Sequence, residues 1–201
     1  MSNSISSLQD QEPRLAPPGA GLPPIEIAIG RVLFGLRCRL GNLKSLTEDF
    51  QKERQAIAAL IESARNLDRG KRVLIKRPIG LEDSSRNWSL WMTLDHLRIV
   101  NLGVSGIIVS LGEGIVPPDV ASTAAVKPSP DAGEAVVQEY ENSCDEVLRA
   151  AAGVENLRTS ARYAHPWFGP MDAHAWYALA ESHLGIHKVQ LERIMAALRT
   201  S

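Results

Sequence analysis

The chain has 201 residues, of which 44% are hydrophobic, so it can form one domain with a real core, and a disordered tail protein is excluded. Its 22 Lys and Arg residues nearly balance its 23 Asp and Glu residues, and the resulting net charge of −1 disfavours nucleic acid as a partner. Cys38 and Cys144 are too few for a disulfide scaffold, which predicts a cytoplasmic location.

No segment has the pattern of a membrane span or a secretory signal. The longest uncharged run, residues 99–112, is shorter than the roughly 20 apolar residues that cross a bilayer. Residues 1–11 contain neither the basic region nor the apolar region of a signal peptide. We therefore expect no membrane partner.

The first part of the chain differs in composition from the rest. Residues 1–24 are rich in Ser and then in Pro and Gly, a composition that cannot bury enough surface to offset the entropy of ordering. This predicts a disordered leader over residues 1–24. Residues 25–201 are predicted to form a single helical domain.

Two helices are predicted in the first half of this domain. Apolar residues recur at spacings of three and four from Ile25 to Leu43, which is the period of one helical face. A second helix follows a capping box over residues 45–48, in which Ser45 is the cap. Residues 69–86 then contain Gly, Pro and Ser and predict a loop with a short extended piece.

Three further helices are predicted in the second half. A central helix begins at Asn87 and is apolar over most of its circumference, and a long proline-bearing connection over residues 112–133 follows it. Another helix opens at Asp131 or Gly133, and the last begins near Asp172, a good N-cap. Sustained strand-like alternation is absent from the sequence. The pattern predicts an all-α fold, a bundle of four main helices with one long crossover.

Three histidines are candidates for a metal site. His183 and His187 are four residues apart on the last predicted helix, so their rings share a face about 6 Å apart and can bind one ion. His96 lies on the apolar stripe of the central helix, and three such ligands leave positions open for water or substrate. The alternative is a set of core histidines hydrogen-bonded to carboxylates such as Asp95 or Glu181.

The other two histidines carry weaker signals. His165 precedes a proline, which mainly fixes an extended backbone, so a structural turn is favoured over a catalytic role. His174 comes nine residues before His183, which places it on the opposite side of the helix and predicts that it faces solvent.

Two segments of the sequence resemble the DinB-like superfamily. The first matches the signature of its second helix, here Asn87-Trp88-Ser89, Leu94-Asp95-His96-Leu97 and Asn101. The second matches its loop and final helix, here residues 165–171, Trp176, His183, His187 and Gln190-Leu191. The resemblance extends from about Ile25 to the C-terminus.

This resemblance implies an up-down-down-up four-helix bundle in which His96, His183 and His187 hold a divalent ion, commonly zinc or nickel. The superfamily includes bacillithiol transferases and mycothiol-dependent maleylpyruvate isomerases. It therefore implies a metal-dependent thiol transferase whose partners are a small-molecule substrate and a low-molecular-weight thiol. Ile186 and Gln190 are departures, because many relatives have histidine there.

The residues themselves leave the function open. A bound metal lowers the pKa of a coordinated water or thiol, which suits either hydrolysis or thiol transfer. The absence of a clear carboxylate base from the helical stripes weakens the hydrolase hypothesis. A non-catalytic helical binding or dimerisation module is the competing class. A homodimer is expected, and the catalytic residues stay unassigned.

Overall fold

The computed structural model describes residues 13–200, which form five α-helices and two small antiparallel strand pairs. The helices are α1 (Pro24–Leu40), α2 (Leu43–Ser63), α3 (Leu90–Gly112), α4 (Val136–Gly153) and α5 (Ala173–Thr200). Strand β1 (Val73–Leu74) pairs with β2 (Asn87–Trp88), and β3 (Tyr163–His165) pairs with β4 (Gly169–Met171). The predicted helical class is confirmed for the described residues.

The core lies between four of the helices. Helix α3 packs along α4 and α5, and α2 packs along α5. The largest fully buried side chains come from all four, and they include Phe50, Leu94, Tyr140, Tyr177 and Leu191. A long connection between α3 and α4 covers one side of this bundle. Helix α1 is different, since it contains no buried residue and its principal helix contact is with α5.

Helix α2 begins one turn earlier than predicted. Asn42 is its N-cap: its Oδ1 accepts a hydrogen bond from the Ser45 backbone N–H, and the Asn42 N–H donates to Ser45 Oγ in return. The predicted capping box with Ser45 as its cap is therefore wrong. The physical reason is that Gly41 adopts an extended conformation and ends α1, so the orphan N–H groups of α2 begin at Leu43.

The start of the central helix was also predicted too early. Helix α3 begins at Leu90, after Ser89 accepts a hydrogen bond from the Met92 N–H, while Asn87 and Trp88 pair with β1. That pairing supplies the extended piece predicted within residues 69–86. Strands of two or three residues are too short to show alternation, which is why the sequence did not reveal β2, β3 and β4.

The start of α4 differs from its predicted position, whereas the start of α5 agrees with it. Helix α4 begins at Val136 rather than at Asp131 or Gly133. Asp172 caps α5 as predicted, because its Oδ1 accepts a hydrogen bond of 2.9 Å from the Ala175 N–H.

The predicted disordered leader falls partly on residues 1–12, which lie outside the described residues. Of its other residues, 13–23 precede α1 and contact the loop between β1 and β2, and Pro24 is the first residue of α1. The Ala16 N–H donates to Asp83, and the Gly19 N–H donates to Glu82. The part of the leader that the structure describes is therefore attached to the domain.

Helix α3 has the length and mean hydropathy of a membrane span, 23 residues and 1.3. Its first eight residues, Leu90 to Leu97, are all buried inside the bundle, and they include Asp95. The central helix of a soluble bundle passes the same test of length and hydropathy, since it is apolar on most of its faces. Burial of this kind agrees with such a core helix.

Candidate metal centre

The fold brings the three predicted histidines together. His96 comes from α3 and His183 and His187 come from α5, and their ligand nitrogens all lie within 4.8 Å of one another. The Nε2 atoms of His96 and His183 are 3.1 Å apart. Two nitrogens at tetrahedral positions on zinc, each about 2.0–2.1 Å from it, are separated by about 3.3 Å. The spacing of this pair already fits a shared ion.

Gln190 fixes the proton position on His187. Its side-chain amide donates a hydrogen bond of 2.7 Å to the backbone carbonyl of Ser85, which can only accept. The Gln190 Oε1 must then accept from His187 Nδ1–H, at 2.6 Å. The Nε2 atom of His187 is consequently left with a free lone pair, the form in which imidazole binds a metal.

A backbone carbonyl fixes the proton position on His96 in the same way. His96 Nδ1–H donates to the Val126 carbonyl at 2.6 Å, so Nε2 again has the lone pair. His183 differs from the other two. The residue as a whole is half-buried, and its buried Nδ1 has no hydrogen-bond partner among the described residues. His183 is therefore the least enclosed residue of the trio.

Burial keeps all three rings neutral. It lowers the pKa of His96 to about 4 and holds the pKa values of His183 and His187 well below the usual value. Repulsion between the three rings acts in the same direction for His183 and His187, since a proton on one ring disfavours a proton on the next. Neutral imidazoles near pH 7 are available as ligands without first losing a proton.

An indole and a partly buried ion pair form the wall behind the histidines. The ring of Trp88 is 5.1 Å from the ring of His96 and lies parallel to His187 at 6.2 Å. The ammonium of Lys127 is 5.5 Å from the Trp88 ring and is paired with Glu82 at 2.8 Å. This wall excludes water from one side of the trio. The charge of Lys127 is neutralised there by the carboxylate of Glu82.

The carboxylates considered as alternative histidine partners bind other groups. Asp95 accepts hydrogen bonds from Arg98 and from the Ser129 N–H, and Glu181 accepts from Arg37. The hydrogen-bond partners of His96 and His187 are instead a carbonyl and an amide. Neither Asp95 nor Glu181 is therefore placed to act as a base on a ligand of this trio.

His165 lies beside the trio. Its Nδ1 accepts a hydrogen bond of 3.1 Å from the Trp167 N–H, which supports the structural role favoured from the sequence. The ring is stacked on Phe168 at 5.0 Å, and burial lowers the pKa of His165 to about 4. A positive charge on His165 would lower the pKa of His183, so the two rings share one electrostatic environment.

The prediction that His174 faces solvent is wrong. His174 is 4% exposed, and its Nε2 is 3.1 Å from the carbonyl oxygen of Gly41. The helical spacing placed it correctly on the side of α5 away from His183. That side is covered by the junction between α1 and α2, which a single helical wheel cannot reveal.

Several groups of the site were not identified from the sequence. Gln190 was noted within the matched final helix and as a departure from relatives, but not as a partner of His187, although its position three residues later places it on the same face. The carbonyls of Ser85 and Val126 carry no sequence signal, because any residue can present a carbonyl. From the sequence, Trp88 was noted only within the motif Asn87-Trp88-Ser89, and the structure shows that its ring packs against His96 and His187.

Comparison with known proteins supports the fold. A solved structure, that of TT2238, which is described as a four-helix bundle protein, superposes with a TM-score of 0.53 over 80% of this chain and 100% of that chain. The two sequences are 16% identical, so the likeness concerns the fold alone. No protein-family model matches the chain, and no curated protein matches it.

Proposed function

We propose that this protein binds one divalent metal ion at the Nε2 atoms of His96, His183 and His187. The observation that carries the proposal is the convergence of three neutral imidazoles, two of which have their lone pairs directed by fixed hydrogen bonds to Val126 and Gln190. Purely structural histidines would have their buried ring nitrogens satisfied by hydrogen bonds, whereas His183 Nδ1 has no partner among the described residues and its Nε2 lies 3.1 Å from His96 Nε2.

Zinc or nickel fits this donor set best. Neutral imidazole nitrogens suit both ions, whereas magnesium and calcium require oxygen ligands. Three protein ligands are also the number found at catalytic zinc sites, which keep a further position for water or substrate. Since His183 is the least enclosed of the three residues, such a molecule would reach the site past it.

We further propose a DinB-like, up-down-down-up bundle that acts in the cytoplasm as a thiol transferase on small-molecule substrates. The motifs around His96 and His183 support the family. The ligand set supports the chemistry, because three neutral imidazoles leave the full charge of a divalent ion uncompensated and so favour an anionic fourth ligand. When bound, the ion would lower the pKa of a thiol and hold it as the nucleophile.

The protein's own groups shape how such a thiol would bind. Trp88 and the buried rings of the trio exclude water on one side, which strengthens electrostatic interactions at the site. Carboxylates that could activate water are engaged elsewhere in the described structure, Asp95 with Arg98 and Glu181 with Arg37. Thiol transfer therefore fits the site better than hydrolysis.

The first test is elemental analysis of the purified protein beside a His183→Ala and His187→Ala double variant. We expect about one equivalent of metal in the native chain and none in the double variant. His174→Ala is the matched control, because this histidine is also buried on α5 but lies outside the trio. Native protein without metal, after reloading with zinc and with nickel, would show that the site is not a metal centre.

The second test is activity of the zinc-loaded chain with low-molecular-weight thiols and activated electrophiles. We expect thioether formation that is lost in the double variant and retained in His174→Ala. Cleavage of esters or amides without added thiol would show that the protein is a hydrolase and not a transferase. Tight metal binding without either activity would leave a metal-binding module.

A further inference from the structure

Helix α1 presents its apolar side to solvent. Six large apolar residues are between 52% and 75% exposed, and they are Ile25, Ile29, Val32, Leu33, Leu36 and Leu40. We call this set the α1 face. Two of the four charged residues of the same helix point inward, since Glu26 pairs with Arg77 and Arg37 pairs with Glu181, while Arg31 and Arg39 are exposed. An ordinary surface helix has the opposite arrangement, with apolar residues toward the core.

The six residues form one continuous stripe. At 100° per residue they fall within an arc of about 100°, and from Ile25 to Leu40 they extend about 22 Å along the axis. A contiguous apolar surface of this kind on a soluble chain marks an interaction site, whereas scattered apolar residues need no explanation.

The spacing of the α1 face is symmetrical about its centre. Ile25 and Leu40 lie equally far from the midpoint between Val32 and Leu33, and so do Ile29 and Leu36. When two copies of one helix pack antiparallel across a two-fold axis at that midpoint, each residue lies level with its mirror position on the other copy. Every large apolar residue of the face would then meet another.

The size of the α1 face also suits a pair of chains. Fully burying an aliphatic side chain removes on the order of 60–120 Å² from water, so six residues that are about two-thirds exposed supply roughly 460–920 Å² over two copies. Homodimer interfaces are about 65% apolar, so this apolar area corresponds to a total interface of roughly 700–1,400 Å². Stable interfaces begin at about 1,200 Å², so the face can form the apolar core of one.

We propose that the α1 face binds a second copy of this chain, with the two α1 helices antiparallel and Ile29 of each copy against Leu36 of the other. This inference is independent of the metal proposal, because none of the three histidines lies on α1. It assigns the homodimer expected from the sequence to one surface.

Sedimentation equilibrium of the native chain and of Leu36→Glu tests the surface. We expect a native dimer, and a dissociation constant raised about 100-fold in the variant, tenfold at each of two symmetry-related contacts. Val120→Glu is the control, since Val120 is 88% exposed on the connection after α3 and should not affect the dimer. Circular dichroism and metal content, both unchanged, show that Leu36→Glu still folds.

Disulfide trapping tests the antiparallel register in a Cys38→Ser background. Mixing the Ile29→Cys and Leu36→Cys variants should give a cross-linked dimer, and either variant alone should give none. Equivalent positions on the two copies would be about 10 Å apart along the axis, which a disulfide cannot bridge.

Three results would overturn the proposal. A native chain that is monomeric at about 50 µM would exclude a second copy as the partner of the α1 face. If that monomer co-sediments with vesicles of anionic lipid, the occupant of the α1 face is a lipid surface instead. A dimer that is unchanged by Leu36→Glu, or cross-links that form only between identical variants, would also contradict the assigned contact.

Discussion

Replacing Gln190 by alanine should weaken metal binding without removing any metal ligand. Gln190 is completely buried and connects His187 Nδ1 to the Ser85 carbonyl through bonds of 2.6 and 2.7 Å. Without it, His187 can rotate and can move its proton to Nε2, the atom that binds the ion. Loss of such a hydrogen bond to a ligand histidine lowers metal affinity by about 10–100-fold.

The same substitution should also destabilise the metal-free protein. Gln190→Ala leaves His187 Nδ1–H and the Ser85 carbonyl buried without partners. Each unsatisfied buried group costs about 1–3 kcal/mol, so the free energy of unfolding should fall by about 2–4 kcal/mol after partial relaxation. The zinc dissociation constant is measured by competition with a chelating indicator, and the free energy of unfolding by urea titration of the chelated protein.

Two variants separate the effect on the orientation of His187 from a general loss of stability. Gln190→Glu keeps an acceptor for His187 Nδ1–H but turns the donor to Ser85 into an oxygen, so zinc affinity should stay within a few-fold while stability falls. Gln138→Ala is the matched control, because Gln138 is exposed on α4 and bonds only to the side chain of Asn142. Equal zinc affinity in Gln190→Ala and the native chain would refute the role assigned to Gln190.

Three further properties follow from the structure. In the metal-free protein, burial keeps His96 and His187 neutral when folded, whereas the unfolded chain binds protons below its pKa of about 6.5. The unfolded state therefore gains protons first, and the free energy of unfolding should fall by about 1 kcal/mol per histidine between pH 6.5 and 5.5; a flat profile in urea titrations would contradict this. Asp172→Ala should cost about 1 kcal/mol by removing the cap of α5, with zinc affinity unchanged in the same indicator assay. Burial raises the pKa of Cys38 to about 11 and that of Cys144 to about 12, so iodoacetamide at pH 7.5 should label both thiols in urea and neither at a normal rate in the native protein.

Helical periodicity predicted the helices well and their beginnings less well. The cap at Asp172 could be recognised because it precedes a long periodic segment directly. The start of α2 depends on a local signal, Gly41 followed by the cap Asn42, which the capping box proposed at Ser45 displaced. The start of α3 depends on Asn87 pairing with β1, a contact with another segment rather than a local preference. His174 shows the same limit, since its burial comes from a junction that packs on it from outside α5.

The metal centre was predictable to the extent that it depends on regular helices. The spacing of His183 and His187 brings them onto one face of α5 whatever the rest of the fold does. The addition of His96 needed the resemblance and the inward face of the central helix. Nothing in the sequence could specify the Val126 carbonyl, because the connection that carries it has no period and its backbone is chemically uniform.

The groups that bind the metal and the groups that orient them therefore come from different parts of the chain. Rigid helices α3 and α5 supply the three ring nitrogens, and irregular segments supply the acceptors that orient His96 and, through Gln190, His187. Because ligand identity and ligand orientation reside in different parts of the chain, changes in the connection around Val126 or in the loop at Ser85 can alter metal affinity while leaving the three histidines in place. Substitutions in the loops should thus change the affinity for the metal ion, whereas substitutions of the helical histidines should abolish its binding.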